Sequence, residues 1–296
     1  MADTAGPTAE DPFASTRMTL GEHLDELRKR LIRGLLAVAV AFVVALYFNE
    51  EITEVILRPH RQCVERLNAY YLERARKIVD ARPELREQYF EPDGTFRFVI
   101  DARLTALSPT EPMWFVLKVA GYGALVAGAP VLLWQLWQFV AAGLYARERR
   151  WAHWFFPPAL LLFASGVLFS YFVLVPVGMY YALQSAPIEL VKPDLRLEYT
   201  FGFLITLCLS MGLVFQLPIL MTFLGLVGLV QAATMASLRG YFVIAAFALG
   251  AILTPGPDPF SQVAMAAPMI LLYEVGIVGA RLAGRPRALQ QRERTA

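Results

Sequence analysis

The sequence predicts an all-α membrane protein with six transmembrane helices. Hydrophobic residues account for 57% of the 296 residues and charged residues for only 18%, which is more apolar than a soluble globular domain. The apolar residues gather in six long segments, and a helix needs about 20 mostly apolar residues to cross a bilayer. We therefore interpret residues 18–296 as one polytopic membrane domain.

The chain begins with a polar segment, residues 1–17, which contains Pro7 and Pro12 and has no apolar core. This composition predicts a disordered cytosolic tail rather than a cleavable signal peptide. Thr19 and Glu22 follow at the spacing of a capping box, in which each side chain satisfies a free backbone N–H at a helix start. The first helix is therefore expected to begin here.

The first helix is predicted to be amphipathic before it becomes wholly apolar. Its leucines recur at helical spacing, and Glu26 and Arg30 on the other side have the i,i+4 spacing that lets opposite charges meet. Such a helix lies on a membrane surface with its carboxylates facing the cytosol. The leucine stripe consists of Leu20, Leu24, Leu27 and Leu31.

The six apolar segments define the predicted spans. The fifth is short, at the lower limit of what can cross a bilayer, and the turn that joins it to the sixth is tight and rich in proline. Prolines within or at the ends of the spans predict bent helices, which suit a curved bundle. The spans are Leu31 to Phe48, Pro112 to Trp134, Trp154 to Tyr181, Phe201 to Phe223, Tyr241 to Leu253, and Phe260 to Ala280.

Basic residues predict the orientation of the spans. They cluster before span one, between spans two and three, and after span six, while the short loops on the opposite side offer only Lys192 and Arg196. By the positive-inside rule, both termini are predicted to be cytosolic.

The segment 49–111 is an enlarged first outer loop. It carries charges of both signs, a helical pattern and a PDG turn, which predict a solvated helical hairpin. A role in docking a partner is the alternative interpretation.

The loop between spans two and three combines aromatic residues with charge. Trp134, Trp137 and Phe139 are typical of an interfacial aromatic belt. Glu148 is the lone carboxylate among arginines there. It either balances Arg149 and Arg150 in weak exposed ion pairs or has a function of its own.

A few polar residues fall within or beside the apolar segments. Lys118 is expected to extend to the interface, and Glu274 is interpreted as interfacial or paired with Arg281. Gln216 precedes Pro218, which frees a backbone carbonyl, so its amide can hydrogen-bond across helices. In the outer turn, Asp258 and Gln262 are placed to cap span six.

Several of these motifs together resemble the TatC subunit of the twin-arginine protein translocase. The combination is specific, whereas each motif alone is weak, and it covers most of the chain beyond the tail and the first outer loop. The motifs are HLDELRKRL at His23 to Leu31, APVLLWQLWQFVAAGLYARERR at Ala129 to Arg150, FQLPIL at Phe215 to Leu220, and LTPGPDPFSQ with the following APM and YEVG at Leu253 to Gly276.

The resemblance implies a curved, concave bundle that binds the Arg-Arg signal peptide of folded export substrates at its cytosolic face. It places the two recognition carboxylates at Glu26 and Glu148, and we add Arg28, Leu27 and Phe139 as supporting residues. A guanidinium matches a carboxylate with a rigid fork of donors that lysine lacks. Two carboxylates at a membrane surface therefore suit two adjacent arginines.

The resemblance also implies partners in the bacterial inner membrane. These are single-span TatA-type and TatB-type subunits, further copies of the chain in a receptor complex, and the proton-motive force as the energy source. The predicted contacts with partner helices are Gln216, Pro218, Gln262 and Asp258. The family commonly has a glutamate where this chain has Gln216, so a mechanism that needs charge there is in doubt.

Two other classes of protein are weighed against this interpretation. A proton-coupled small-molecule transporter would show inverted repeats and ionisable residues near the midplane, and neither is clear here. An enzyme is rejected because His23, His60 and His153 lie outside the apolar segments and neither HExxH nor GxSxG occurs. No cofactor, metal site or nucleic-acid partner is predicted.

Overall fold

The computed structural model describes residues 20–143, 146–185, 193–253 and 259–284, and the tail at residues 1–17 lies outside this part. The described chain is helical. Its helices are α1 (Leu20–Tyr47), α2 (Asn49–Ala81), α3 (Arg86–Tyr89), α4 (Glu111–Ala142), α5 (Ala146–Phe169), α6 (Val175–Gln184), α7 (Leu197–Val214), α8 (Leu217–Val227), α9 (Ala232–Ser237), α10 (Arg239–Leu253) and α11 (Pro259–Ala283).

Five helical segments of the described chain are long and apolar enough to cross a membrane. They correspond to predicted spans one, two, three, four and six, while span five, Arg239–Leu253, is a shorter apolar helix of 15 residues. The all-α membrane fold is confirmed, and the count of six spans stays a prediction. The five segments are Gly21–Tyr47, Glu111–Ala142, His153–Gln184, Leu197–Val227 and Gln262–Ala283.

Neighbouring helices follow one another in an open row. α1 packs on α4, α4 on α5, α5 on α7, α8 on α11, and α11 on α10. The helix axes run between two faces of the molecule. We call the face where α1 begins the inner end and the opposite face, where α1 stops, the outer end. α4, the α7–α8 segment and α11 run from the outer end to the inner end.

Small residues allow α1 and α4 to pack closely. A Cβ on Gly34 would lie 3.0 Å from Leu132 Cδ2, and one on Gly128 would lie 3.0 Å from Val38 Cγ2. In lipid, helices associate through such van der Waals packing because water supplies no hydrophobic drive between them. The predicted surface helix and the first span form the single helix α1, which packs on α4 along most of its length.

α4 is longer than the predicted second span. The aromatic stretch from Trp134 onward was predicted to be a loop, yet it continues the helix to Ala142. No helix-breaking residue occurs between Pro130 and Gly143, so nothing in the sequence ends the helix earlier. The connection from α4 to α5 is therefore only the short segment 143–145.

Prolines account for the interruptions of the third and fourth spans. A π-helical segment, Ser170–Leu174, separates α5 from α6 just before Pro176, whose ring cannot fit the carbonyl four residues earlier in a regular helix. The fourth span breaks at Phe215 and Gln216, and Pro218 then lies in the first turn of α8. Pro is tolerated there because its N–H would be unpaired.

The segment between α1 and α4, residues 49–110, is mostly one long helix, so the prediction of a helical hairpin was wrong. α2 extends for 33 residues and the chain returns in a largely irregular strip. Pro59 does not break α2: the Val55 carbonyl that it frees accepts a hydrogen bond from the Tyr171 hydroxyl. We call residues 49–110 the cap.

The cap has an apolar core of its own, so it is less solvated than predicted. Two hydrogen bonds from the Asn68 amide hold the irregular strip against α2, because Nδ2 donates to the Ile100 carbonyl and Oδ1 accepts from the Ile100 N–H, both at 2.9 Å. The Tyr71 hydroxyl ties α2 to the end of α6 through the Leu183 carbonyl at 3.1 Å. The buried core residues are Val64, Leu67, Tyr71, Ala75, Tyr89, Phe96 and Ile100.

Candidate signal-peptide site at the inner end

The start of α1 meets the end of α4 through an aromatic contact. The His23 ring stacks on Phe139 with 4.4 Å between ring centroids. A Cβ on Gly143 would lie 3.2 Å from His23 Cε1, so the backbone at the end of α4 also touches this ring. These contacts bring the predicted site residue Phe139 to within one helical turn of Glu26. The role of His23 was missed from the sequence, although it lies three residues before Glu26 on the same helix face.

Glu26 forms an ion pair with Arg30 one turn further along α1. The contact joins Arg30 Nη2 to Glu26 Oε1, and the two side chains are only 13% and 22% exposed, respectively. The i,i+4 spacing predicted this partnership. Its burial was not predictable, because it results from packing against α4.

Leu27 and Arg28 lie on open faces of α1. The Leu27 side chain is 40% exposed, and Arg28 is also exposed. Both residues are thus accessible beside Glu26, and no described contact joins either of them to Phe139.

Glu148 belongs to the first turn of α5, two residues after this helix begins at Ala146. Its side chain lies outside the described part of the structure. The short connection after Gly143 limits how far the Glu148 backbone can lie from His23, because five residues of chain span at most about 18 Å.

An aromatic cluster fixes the inner ends of α4, α5 and α8 against each other. Trp137 is buried and packs on Phe155 and Phe223, with ring centroids 5.8 and 5.2 Å away. Trp134 packs edge-on against Phe156, and Gln138 hydrogen-bonds to His153 at 2.9 Å. These aromatic residues, interpreted from the sequence as an interfacial belt, thus form internal contacts that hold the inner end together.

The residues predicted to contact partner helices have internal roles where the structure describes them. Gln216 Nε2 donates to the Ala159 carbonyl at 3.0 Å, and Pro218 is buried. Gln262 Nε2 donates to the Phe247 carbonyl at 2.9 Å and so ties α11 to α10, rather than capping α11. Asp258 lies outside the described residues.

Two further ion pairs connect helices that are distant in sequence. Lys118 pairs with Glu198 at 2.7 Å instead of only extending to the interface. Glu274 pairs with Arg239 at 2.7 Å, not with Arg281 as the sequence suggested. Neither pairing has a signal in the local sequence, because its partners are far apart along the chain.

The inner end can therefore bind a cation through Glu26, beside an exposed leucine and a half-buried aromatic ring. Carboxylate, apolar surface and aromatic surface together suit a basic segment followed by apolar residues.

Comparisons with known proteins agree with this description. The family model described as "Sec-independent protein translocase protein (TatC)" matches residues 22–268. The TatC protein of Aquifex aeolicus (strain VF5) is 31% identical over 271 residues, which cover 91% of this chain and 98% of that protein. The TatC protein of Koribacter versatilis (strain Ellin345) is 34% identical over 264 residues, covering 88% of this chain and 84% of the relative.

A solved structure shares the fold. The crystal structure described as that of the twin-arginine translocase receptor TatC matches with a TM-score of 0.67 and 31% sequence identity, covering 89% of this chain and all of that one. The chloroplastic TATC protein of Arabidopsis thaliana is 30% identical over 279 residues, or 94% of this chain and 71% of the relative.

The long apolar helices and these matches define a multi-pass membrane subunit of a protein translocase. Within that class, the chain belongs to the TatC family, the Sec-independent, twin-arginine type.

Proposed function

We propose that this chain is the receptor of its translocase, binding the Arg-Arg signal peptide of folded export substrates at the inner end. Glu26 and Glu148 each accept one guanidinium, with Arg28, Leu27 and Phe139 around them. The role is one of binding and recruitment and involves no catalysis. The inner end then faces the cytosol, both termini are cytosolic, and the protein lies in the bacterial inner membrane.

One observation carries this proposal: the contact of His23 with Gly143 and Phe139. It brings the α1 turn that bears Glu26 to the end of α4, from which the chain leads directly into the turn of α5 that bears Glu148. The short chain after Gly143 limits how far the Glu148 backbone can lie from the end of α4, to about 18 Å at most, which supports a site shared with Glu26. A bidentate carboxylate–guanidinium pair is directional, so this arrangement favours arginine over lysine.

The test is photocrosslinking in membranes from a photoreactive group beside Glu148 to a peptide bearing Arg-Arg or Lys-Lys. We expect a crosslink with Arg-Arg that fades with Lys-Lys and disappears in a Glu26→Gln, Glu148→Gln double variant. The matched control is Asp25→Asn, which removes a neighbouring exposed carboxylate of α1. Equal crosslinking of both peptides, or a normal crosslink in the double variant, contradicts the proposal.

Recruitment of TatA-type and TatB-type single-span subunits is the second part of the proposal. Gln216 interrupts the α7–α8 span between the lipid-facing residues Leu213 and Leu220, which are 65% and 46% exposed. Its Nε2 is used internally, so we assign the partner contact to its amide oxygen, with the buried Pro218 shaping the break. Gln262 and Asp258 form the corresponding outer contact, and further copies of the chain join the receptor complex.

Gln216→Leu tests the recruitment step separately. We expect weaker co-purification of the single-span partners together with unchanged binding of the signal peptide. Unchanged co-purification would remove Gln216 from the partner contact. The alternative of a proton-coupled small-molecule transporter has no observation in its favour now that the family is established.

A further inference from the structure

We propose that Arg30 is a built-in competitor of the signal peptide: in the free receptor its guanidinium occupies the Glu26 carboxylate, and an arginine of the peptide must displace it. This inference rests on the proposed function. In this proposal, Arg30 sets the affinity with which the Glu26 site binds the signal peptide.

Burial distinguishes this ion pair from an ordinary pair on a helix surface. The cap contains a pair at the same i,i+4 spacing, Glu73 with Lys77, whose side chains are 68% and 75% exposed. The Glu26 and Arg30 side chains are 22% and 13% exposed. Less water competes for the inner pair and screens it, so Glu26 is occupied by Arg30 for more of the time.

The hold of Arg30 on this position is nevertheless incomplete. Its Nε is buried and has no hydrogen-bond partner among the described residues, and the described ion pair uses Nη2 alone. The amide oxygen of Gln135, on the helix that packs against α1, is also buried and unpaired within the described chain. A buried donor without a partner destabilises the arrangement in which Arg30 is paired with Glu26. A ligand that satisfies Glu26 more fully can therefore replace Arg30.

The incoming group has the same chemistry as the one it replaces. A peptide arginine exchanges one guanidinium for another and can engage both oxygens of Glu26, so no carboxylate is left unpaired at the end. Internal competition of this kind reduces the apparent affinity of every ligand that needs free Glu26 by one common factor. It therefore leaves the ratio between ligands unchanged.

The experiment measures the dissociation constants of Arg-Arg and Lys-Lys signal peptides for the purified full-length protein in lipid nanodiscs. We expect Arg30→Gln to tighten both by the same factor, about three- to tenfold. Lys29→Gln is the matched control because it removes an equal charge from an exposed neighbour. The gain in peptide affinity from Lys29→Gln should be smaller than the gain from Arg30→Gln.

A double-mutant cycle separates competition from simple charge removal. In a Glu26→Gln background, Arg30→Gln should give no more than the Lys29→Gln gain. Carbodiimide labelling of Glu26 without peptide adds a second readout, and it should increase in Arg30→Gln only.

Each outcome bears on one claim. Weaker binding, a gain equal to that of Lys29→Gln, or a gain that differs between the two peptides overturns the competitor role. If instead Glu26→Gln alone leaves Arg-Arg binding unchanged, the proposed peptide site fails, whatever the labelling shows.

Discussion

The α1–α4 contact at the inner end and the start of α4 at the outer end differ in how their polar groups are satisfied. At the outer end they are satisfied within the protein: the Glu111 carboxylate accepts the Leu107 N–H at 2.7 Å and the Glu198 N–H at 3.1 Å, and so ties α4 to α7. At the inner end the buried atoms Arg30 Nε and Gln135 Oε1 have no partner among the described residues. The difference teaches that satisfied polar groups hold the start of α4, whereas the contact of α1 with α4 at the inner end leaves buried polar groups unpaired within the described chain.

The largest loss of stability should follow from replacing Asn68, whose side-chain amide makes two hydrogen bonds in the cap. Asn68→Ala leaves both the N–H and the carbonyl of the buried residue Ile100 unpaired, which we expect to cost about 2–4 kcal/mol of cap stability. Hydrogen exchange of the α2 amides measures it. Asn49→Ala is the control: it removes the exposed hydrogen bond to the Val116 carbonyl and the bond that its Oδ1 accepts from the Thr53 hydroxyl, and it should cost about 1 kcal/mol. Equal effects would show that Asn68 does not hold the cap.

The second test weakens the two hydrogen bonds that the Glu111 carboxylate accepts at the start of α4. Glu111→Gln keeps the shape but loses the charge and one of two acceptor sites, so we expect a loss of about 1–2 kcal/mol, read as faster exchange at the N-terminal turns of α4 and α7. Lys118→Met removes the half-exposed ion pair with Glu198 and should cost less than about 1 kcal/mol. A larger cost for Lys118→Met would reverse this ranking.

Within the cap, His60 has a buried atom without a partner and should make the cap sensitive to acid. Nε2 donates to the Ala102 carbonyl at 3.1 Å, while Nδ1 is buried and unpaired within the described chain. Burial, aided by nearby Arg61, lowers the pKa of His60 below its ordinary 6.5. The fold therefore favours neutral His60. The contribution of His60 to the stability of the cap is fully present above pH 6.5 and declines as the pH falls below that value.

Hydrogen exchange of the cap at pH 7.5 and pH 5.5, corrected for intrinsic rates, checks this sign. We expect less protection at the lower pH, and His60→Gln should abolish the difference. Greater protection at low pH would mean that the charged form is the one that the fold prefers.

The smallest effect is expected at the inner end. Gln135→Leu replaces an unpaired buried amide by an apolar group, so thermal unfolding in detergent should be unchanged or shifted by at most about 1 kcal/mol towards higher stability. A clear destabilisation would indicate that Gln135 is satisfied and would remove the contrast between the two ends.

How much of the structure the sequence could predict depends on whether the interacting residues are close together along the chain. The Glu26–Arg30 pair follows from i,i+4 spacing, and the long apolar helices follow from length and composition. Lys118 with Glu198 and Arg239 with Glu274 could not be found in this way, because only the packing of whole helices brings such partners together. Local chemistry was predictable, whereas contacts between distant segments were not.

Helix ends were the weakest part of the sequence prediction for a similar reason. α4 extends past Trp134 because nothing before Gly143 stops it, and α2 accepts Pro59 because Tyr171 supplies a donor for the freed carbonyl. The hydroxyl of a residue far along the chain is invisible to a local pattern. The position of Glu26 was predictable, but its burial beside α4 was not.

The pairing of α1 with α4 has a consequence for biosynthesis. The ribosome makes the whole cap, roughly 60 residues, between these two helices, which takes about 3–12 s at typical elongation rates. During that interval α1 stays in the bilayer without its principal neighbour, which its largely apolar surface allows. The inner end is thus completed only after the cap has been synthesised, so a nascent chain cannot present the finished site early.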